Sequence, residues 1–445
     1  MELIGLLSLS GGVLFKAAAF IVVLSVIVSV HEYGHYIVGR WSGIHAEVFS
    51  LGFGKILYSR VDKHGTQWQV AAVPFGGYVK FLGDADASSR NDPEAMAQMD
   101  SDTRSRSFHG AALYKKALTI VAGPMANFIL SSVIFTGLLL WSGMSIETPT
   151  VKSLNQLPEM VNEVREGDVI LSVNGVETPT VSALMAYARI EGAADSDQVY
   201  QVQRGDTKID ATGPFPLIPL IGSVSPRSAA ISAGLKVGDL ILSVDGQNIT
   251  AFSDLQKLVK ASDGAEMQLD VWRAGEILAF TLAANIVDVP NGDGGFEQRA
   301  LIGISGSMFF EQETRKVGVF EAVEIGVKQT GRIISLSLNA LYHVASGQIS
   351  TCNMQGPLGL ADASGDAASQ GLTDFLWIIA LISTGIGMIN LFPIPVLDGG
   401  HLVFFAYEAV TRRPPSDKAI NILMSVGLFV IVSFMVFAVL NDFIC

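Results

Sequence analysis

The sequence predicts a multi-domain α-helical membrane protein with four transmembrane helices, a membrane-associated β-hairpin and two small inserted α+β domains. Hydrophobic residues make up 49% of the 445 residues, charged residues only 16%, and the mean hydropathy is +0.43, outside the range of ordinary soluble domains. Crossing about 30 Å of hydrocarbon takes roughly 20 helical residues. Four apolar stretches are this long, at residues 13–37, 117–141, 372–392 and 420–440.

The apolar spans and the polar segments between them give the expected domain boundaries. Residues 1–142 and 372–445 form the two halves of a membrane domain, 143–217 and 218–306 form the inserted domains, and 307–371 form an amphipathic linker at the outer surface. The formal net charge of −13 argues against nucleic acid as a partner. The chain has only two cysteines, so a disulfide framework and a Cys-rich zinc site are excluded.

The first span ends in a metal-binding pattern, His31-Glu32-Tyr33-Gly34-His35. Positions i and i+4 share a helix face, so His31 and His35 can bind one Zn²⁺ while Glu32 lies close to a water molecule on the metal. The alternative is a chance match or a pair of core histidines. Ionisable groups in hydrocarbon cost several kcal/mol, so an intramembrane cluster of this kind indicates function.

The distribution of Lys and Arg predicts the orientation in the membrane. Residues 40–118 hold ten Lys and Arg against eight Asp and Glu, whereas 143–371 hold fifteen against twenty-seven. Cytoplasmic loops near span ends are enriched in Lys and Arg, so 40–118 and 393–419 are expected inside. The acidic 143–371 segment and both termini then face outward.

This orientation brings the ends of the first and third spans together at the cytoplasmic leaflet. A catalytic zinc needs three protein ligands and an open position, and Asp398, shortly after the third span, is the carboxylate that would arrive there. His45 and His401 are alternative ligands. The Asp-Gly-Gly sequence at 398–400 also suits an ordinary turn.

Two nine-residue stretches, at 167–175 and 238–246, are identical at seven positions, which indicates two small domains rather than a solenoid. Each copy predicts a strand, an Asn-Gly or Asp-Gly turn and an amphipathic helix. Residues 225–239 resemble the bacterial PDZ domain, which binds peptide C-termini or extended segments at a sheet edge. The first copy departs from this pattern at 157–165. Rigid spacers or size filters are the equal alternative.

Three further segments are candidates for holding a peptide or for shaping the membrane domain. Residues 66–73 and 78–82 flank a Gly-rich turn and predict a hairpin whose edge could bind an unwound substrate, or else a cytoplasmic surface hairpin. The substrate-positioning candidates there are Val73, Pro74, Gly76, Gly77 and Tyr78. Gly123 and Pro124 are expected to break the second span, and Asn127 with Asn390 could bind substrate backbone or lock helices. Residues 317–341 predict an amphipathic helix near the outer surface, or the core helix of a small subdomain.

Together these motifs resemble the site-2 protease family of intramembrane zinc metalloproteases, in particular members with tandem PDZ domains. The matching residues are 31–35, 52–54, 74–80, 123–127, the repeats, 356–359 and 390–399. The resemblance implies zinc on His31, His35 and Asp398, with Glu32 as the general base. It further implies a bacterial inner-membrane protease with periplasmic PDZ domains and a zinc site near the cytoplasmic face.

The implied substrates are single-span membrane proteins in the lipid bilayer, cut after a first cleavage outside the membrane, in stress-related regulated intramembrane proteolysis. Anti-sigma factors and remnant signal peptides are the two substrate classes that the resemblance implies. The rival interpretation is an inert membrane-anchored PDZ adaptor with a structural or vestigial zinc site. A structural zinc would have a fourth protein ligand.

Overall fold

The computed structural model describes residues 2–86, 92–158, 160–190, 197–291 and 296–444. It divides into two compact units. The membrane unit comprises Met1–Leu138, Val319–Ala345 and Met354–Cys445, and the inserted unit comprises Leu139–Gly318 and Ser346–Asn353.

The α-helices are α1 Glu2–Trp41, α2 Pro93–Gln98, α3 Ser101–Ser105, α4 Leu113–Ser142, α5 Val181–Tyr187, α6 Ala229–Ala233, α7 Phe252–Ala261, α8 Val319–Ala345, α9 Pro357–Gln370, α10 Leu372–Asn390, α11 Asp398–Thr411 and α12 Asp417–Ile444. The strands are β1 Ala46–Val61, β2 Gln67–Phe81, β3 Met144–Ser145, β4 Val151–Leu154, β5 Val169–Val173, β6 Val176–Glu177, β7 Gln198–Arg204, β8 Thr207–Gly213, β9 Leu217–Val224, β10 Leu240–Val244, β11 Gln247–Asn248, β12 Glu266–Arg273, β13 Glu276–Ala283, β14 Asn285–Pro290, β15 Phe296–Leu301, β16 Ile304–Met308, β17 Phe310–Gln312 and β18 Thr314–Arg315.

Four helices of the described chain are long and apolar enough to cross a membrane, as predicted: Gly12–Trp41, Leu113–Ser142, Leu372–Asn390 and Lys418–Ile444. The predicted break at the start of the second span is wrong, because α4 continues through Pro124. A proline inside a membrane helix removes one backbone hydrogen bond, and such helices tolerate the loss where neighbouring groups compensate.

Strands β1 and β2 pair with each other along four segments, two from each strand. Residues 46–51 pair with 77–81 on one side and with 67–70 on the other, and 56–61 pair with 67–71. Gly52 and Gly54, with φ of +89° and +84°, let β1 reverse between its two segments. The predicted direct pairing of 66–73 with 78–82 is therefore wrong, because residues 46–51 lie between them.

Helices α8 and α9, from the region expected to be a linker, pack inside the membrane unit. A Cβ atom at Gly326 of α8 would lie 2.4 Å from Thr136 Oγ1 of α4, so the two helices need glycine to approach this closely. Helix α9 is joined to α1 by Lys16, whose Nζ lies 3.0 Å from Asp362 and 3.2 Å from Asp366. Both helices thus support the spans directly.

The repeated sequence forms the same turn in both copies. Asn174 and Gly175 have φ of +48° and +79°, and Asp245 and Gly246 have φ of +49° and +78°. Two successive positive φ values define the hairpin turn that Asn-Gly and Asp-Gly favour. The sheet orders are β6-β5-β7-β8 in the first copy and β13-β12-β10-β9-β16, with β11 on β10, in the second. We call these the first and second modules.

The first module is completed by residues that follow the second. Strand β17 pairs with β4, and β18 pairs with β3. Phe309 and Phe310 are 0% and 1% exposed in the core that also contains Val151 and Tyr200. The second module is therefore nested within the first, and the chain enters and leaves the inserted unit on paired strands.

Candidate metal centre

Helix α1 and the first residue of α11 bring three potential metal ligands together. His31 Nε2 lies 3.2 Å from His35 Nε2 and 3.2 Å from Asp398 Oδ2, and His35 Nε2 lies 3.5 Å from Asp398 Oδ1. Both histidines are buried, at 8% and 7% exposure. The arrangement places two imidazoles and one carboxylate around a common point.

The Asp-Gly-Gly sequence forms a helix start rather than a turn. Asp398 is the first residue of α11, and its position depends on the two glycines that follow. A Cβ atom at Gly399 would lie 2.2 Å from Phe392 O, and one at Gly400 would lie 2.3 Å from Ile394 O. Only glycine lets α11 begin this close to the segment that leaves α10.

Helix α4 fixes the orientation of both imidazole rings. His35 Nδ1 lies 2.8 Å from the carbonyl oxygen of Thr119, so Nδ1 donates and the lone pair of Nε2 faces the ligand cluster. The Asn127 amide lies 3.3 Å from His31 Nδ1. Asn127 is fully buried and its Oδ1 has no hydrogen bond. If the amide oxygen and nitrogen of Asn127 are exchanged, Oδ1 accepts a hydrogen bond from the Nδ1–H of His31. The lone pair of His31 Nε2 then faces the ligand cluster, as that of His35 does.

Sequence comparison agrees with this geometry. The sequence model of peptidase family M50 matches residues 19–434. The chain belongs to peptidase family M50. It is 34% identical over 428 residues to a zinc metalloprotease of Agrobacterium fabrum, covering 95% of this chain and 94% of that protein.

Two regulators of sigma-E protease are also similar. The chain is 32% identical to that of Haemophilus influenzae and to RseP of Escherichia coli, which cover 97% of this chain and 99% and 98% of their own lengths. Among solved structures, a PDZ domain from Listeria monocytogenes aligns with 20% of the chain at 17% identity, and its TM-score of 0.16 carries no weight for the fold. This M50 member is a zinc metallopeptidase.

The ligand cluster of this M50 peptidase fits zinc. The lone pairs of two imidazole nitrogens and a carboxylate face one another, and the buried Oδ2 of Asp398 has no hydrogen bond. Tetrahedral ligands about 2.05 Å from zinc would lie about 3.3 Å apart. The two imidazole nitrogens lie 3.2 Å apart, and each lies 3.2 or 3.5 Å from a different oxygen of Asp398. Within the described chain, no fourth His, Cys, Asp or Glu joins the group. Three ligands and an open position are typical of a catalytic zinc site, not a structural one.

A cavity of about 330 Å³ opens onto the three potential ligands. The predicted residues that line it are Glu32, Gly76, Gly77, Tyr78 and Asn390. The carboxylate of Glu32 accepts a hydrogen bond from the backbone N–H of Val79, which belongs to the same edge segment of β2.

Some candidates lie elsewhere. Val73, Pro74 and Asn127 do not line this cavity, and Asn127 contacts His31 instead. His401, weighed as a ligand, lines the cavity one helix turn after Asp398 and is not in the ligand group. Sequence reasoning missed Thr119, which acts through its backbone carbonyl and therefore leaves no residue-type signal.

Proposed function

We propose that this chain hydrolyses peptide bonds within transmembrane segments of single-span membrane proteins that have already been trimmed outside the membrane. The observation that carries the proposal is the ligand cluster at the end of an apolar span, open to a cavity bordered by a sheet edge. A soluble substrate would not require a metal centre built into such a span. The resemblance to the site-2 protease family makes anti-sigma factors and remnant signal peptides the substrate classes to test first, and two similar proteins are named regulators of sigma-E protease.

His31, His35 and Asp398 would hold the zinc ion, and Glu32 would act as the general base. When bound, zinc supplies Lewis-acid polarisation of a water molecule and of the scissile carbonyl. Glu32 takes the proton from the attacking water and passes it to the leaving amine. The N–H of Val79 holds the Glu32 carboxylate in place for this transfer.

The edge segment 77–81 of β2 would bind the unwound substrate by strand addition. In the described chain this segment pairs with no strand other than 46–51. On its other side the N–H of Val79 already donates to Glu32 and the N–H of Phe81 to Asp84 Oδ2, so the substrate would add at the remaining backbone groups near Gly77. Gly77 brings the edge close to α1, since a Cβ atom there would lie 3.2 Å from Glu32 Cγ. Asn390 faces the same cavity and would bind a substrate carbonyl or N–H.

The other three positioning candidates receive indirect roles. Val73 pairs with Phe53 of β1, and Val73 and Pro74 precede the edge segment within β2. Asn127 is fully buried and lies against His31, so we assign it to orienting that ligand rather than to touching substrate.

The inserted unit would act as a paired PDZ-type element that excludes bulky ectodomains or captures peptide ends. The second module has a groove of about 510 Å³ between α7 and residues 297–304, with Phe252, Leu255 and Val259 along one wall. We place this unit in the periplasm and the metal centre near the cytoplasmic face of the bacterial inner membrane, because Lys and Arg concentrate in 40–118.

The test compares purified full-length wild type, Glu32→Gln and the control Glu94→Gln, which changes an exposed residue of α2. The probe is a single-span test protein whose outer domain has been removed. We expect chelator-sensitive cleavage by wild type and control, and a loss of about 10²- to 10⁴-fold in Glu32→Gln with zinc content unchanged. Cleavage by Glu32→Gln at the wild-type rate would refute the base assignment. No cleavage by zinc-loaded wild type would favour the adaptor alternative.

A further inference from the structure

A second, smaller cavity lies in the membrane unit at the C-terminal end of α1. Its volume is about 200 Å³. The side chains that give it its character are Tyr36, Arg40, His45, His64, Thr66 and Arg106. No carboxylate of the described residues lines it, so the cavity is basic. The proposed hydrolytic mechanism does not use this cavity.

Hydrogen bonds hold one cationic group of this basic pocket in place, and other cationic groups at the pocket have no ion-pair partner among the described residues. Arg40 lies 2.6 Å from His64 Nε2 and 3.4 Å from Tyr36 Oη, which holds its guanidinium at the pocket wall. Arg106 has no ion-pair partner in the described residues, and neither does Lys115, whose Nζ lies 3.8 Å from a Cβ position at Gly43 on the rim.

The nearby acid, Asp62, is already engaged. It accepts hydrogen bonds from Trp68 Nε1 at 3.0 Å and from the backbone N–H groups of His64 and Thr66 at 2.8 and 3.0 Å. Desolvation opposes its ionisation, but these donors lower the pKa of Asp62 to about 2. Asp62 is therefore ionised and offsets one of the two arginine charges, so the pocket keeps the positive charge of the other arginine.

The pocket lies at the level expected for lipid headgroups. Trp41, 77% exposed at the end of α1, and Tyr114, 64% exposed at the start of α4, flank the same end of the spans. Exposed Trp and Tyr at span ends mark the membrane–water interface. Basic pockets at this depth suit phosphate groups, and arginine binds phosphate oxygens in a bidentate manner.

We propose that this basic pocket binds a phosphate group, which anionic phospholipid headgroups and free phosphate both present; its interfacial position favours the lipid. Arg40 follows His35 by five residues, and a helix rises 1.5 Å per residue, so the backbone of Arg40 lies about 7.5 Å along the helix axis beyond that of His35. Lipid binding here sets the depth of the metal centre in the bilayer.

The experiment measures phospholipid retention by the purified full-length protein with native mass spectrometry. Phosphatidylglycerol, phosphatidylcholine and inorganic phosphate are added separately. The pocket variants are Arg106→Gln and the double variant Arg40→Gln/Arg106→Gln. The control is Lys55→Gln/Arg60→Gln, which removes the same charge from exposed positions of β1 outside the pocket. Zinc content and melting temperature show whether each variant is folded.

We expect wild type and control to retain phosphatidylglycerol about tenfold better than phosphatidylcholine, and the double variant to lose this preference. The single variant, at an exposed residue with no ion pair, should show a partial loss and keeps the test decisive if the double variant does not fold. Retention of inorganic phosphate that depends on the two arginines, without arginine-dependent retention of phosphatidylglycerol, would overturn the lipid as the ligand. Equal retention by the pocket variants and the control would overturn the proposal.

Discussion

Replacing Gly123 by alanine adds one methyl group where α4 faces the metal ligands. A Cβ atom at this position would lie 2.3 Å from His35 Nε2, 2.4 Å from His35 Cε1 and 2.9 Å from His31 Cε1. Ordinary contacts of a Cβ atom are 3.4 Å or longer. The His35 ring must therefore move by about 1 Å, since carbon and nitrogen atoms do not approach more closely without strong repulsion.

The size of the effect follows from what holds the ring. The hydrogen bond to Thr119 O fixes His35 from the other side, so the ring can move only by breaking that bond or by turning Nε2 away from the cluster. Loss of such an orienting partner lowers metal affinity by about 10- to 100-fold, and a 1 Å misplacement lowers the rate by about 100-fold. Alanine itself favours a helix over glycine by about 1 kcal/mol, so α4 should remain intact.

The assay combines zinc content after dialysis against graded chelator concentrations with cleavage of a trimmed single-span test protein. The matched control is Gly137→Ala in the same helix, where a Cβ atom meets nothing within 4 Å. We expect Gly137→Ala to behave as wild type and Gly123→Ala to lose zinc at lower chelator concentration with an unchanged melting temperature. Equal zinc retention and equal rates in the two variants would show that α4 does not constrain the ligands as described.

Three further perturbations test other parts of the structure. Replacing residues 144–315 by a short Gly-Ser linker should leave zinc content unchanged, because paired strands bring both ends together. Cleavage of untrimmed substrate by this deletion variant would support the filter role, and cleavage of trimmed substrate alone would contradict it. The Asp442 carboxylate accepts hydrogen bonds from three N–H groups at the start of α9. Asp442→Asn should therefore lower the free energy of unfolding by about 1 kcal/mol, measured by thermal unfolding. An unchanged melting temperature would contradict this. Burial opposes ionisation of Asp168, but the paired guanidinium of Arg204 holds its pKa below the usual value. Its stabilisation is therefore present above about pH 4 and lost as pH falls through the lowered pKa. Wild type and Asp168→Asn should differ in melting temperature at pH 7, and the difference should shrink as the pH falls below about 4; a constant difference would contradict this.

The spans and the meeting of His31, His35 and Asp398 could be anticipated because each depends on local pattern plus one topological rule. Apolar length identifies a span, and the Lys and Arg distribution gives its direction. Two spans that run in the same direction then deliver their C-terminal residues to one leaflet. The structure places one ligand atom from each of the three side chains within 4.8 Å of the others.

The sheet pairing could not be anticipated, because it depends on a segment that local pattern does not connect to its partners. Residues 78–82 look like the second strand of a hairpin with 66–73, yet both pair with 46–51. The reversal of β1 at Gly52 and Gly54 makes this possible. Likewise, Phe309 and Phe310 follow the second module in sequence but lie in the core of the first. The spacing of apolar residues along the chain does not predict such a long-range contact.

Three residues of α4 form a stripe that faces His31 and His35 of α1. Thr119, Gly123 and Asn127 are spaced by four residues and therefore share a face, as His31 and His35 do on α1. The carbonyl of Thr119 fixes His35, the amide of Asn127 lies against His31, and Gly123 leaves room for both rings between them. The carbonyl of Asn127 in turn accepts a hydrogen bond from Ser383 Oγ of α10 at 3.0 Å, which ties this stripe to the span that leads to Asp398. In this chain a small residue flanked at i±4 by hydrogen-bonding partners thus lies opposite the His pair at i and i+4, which is the arrangement expected of a helix that orients the proposed metal ligands.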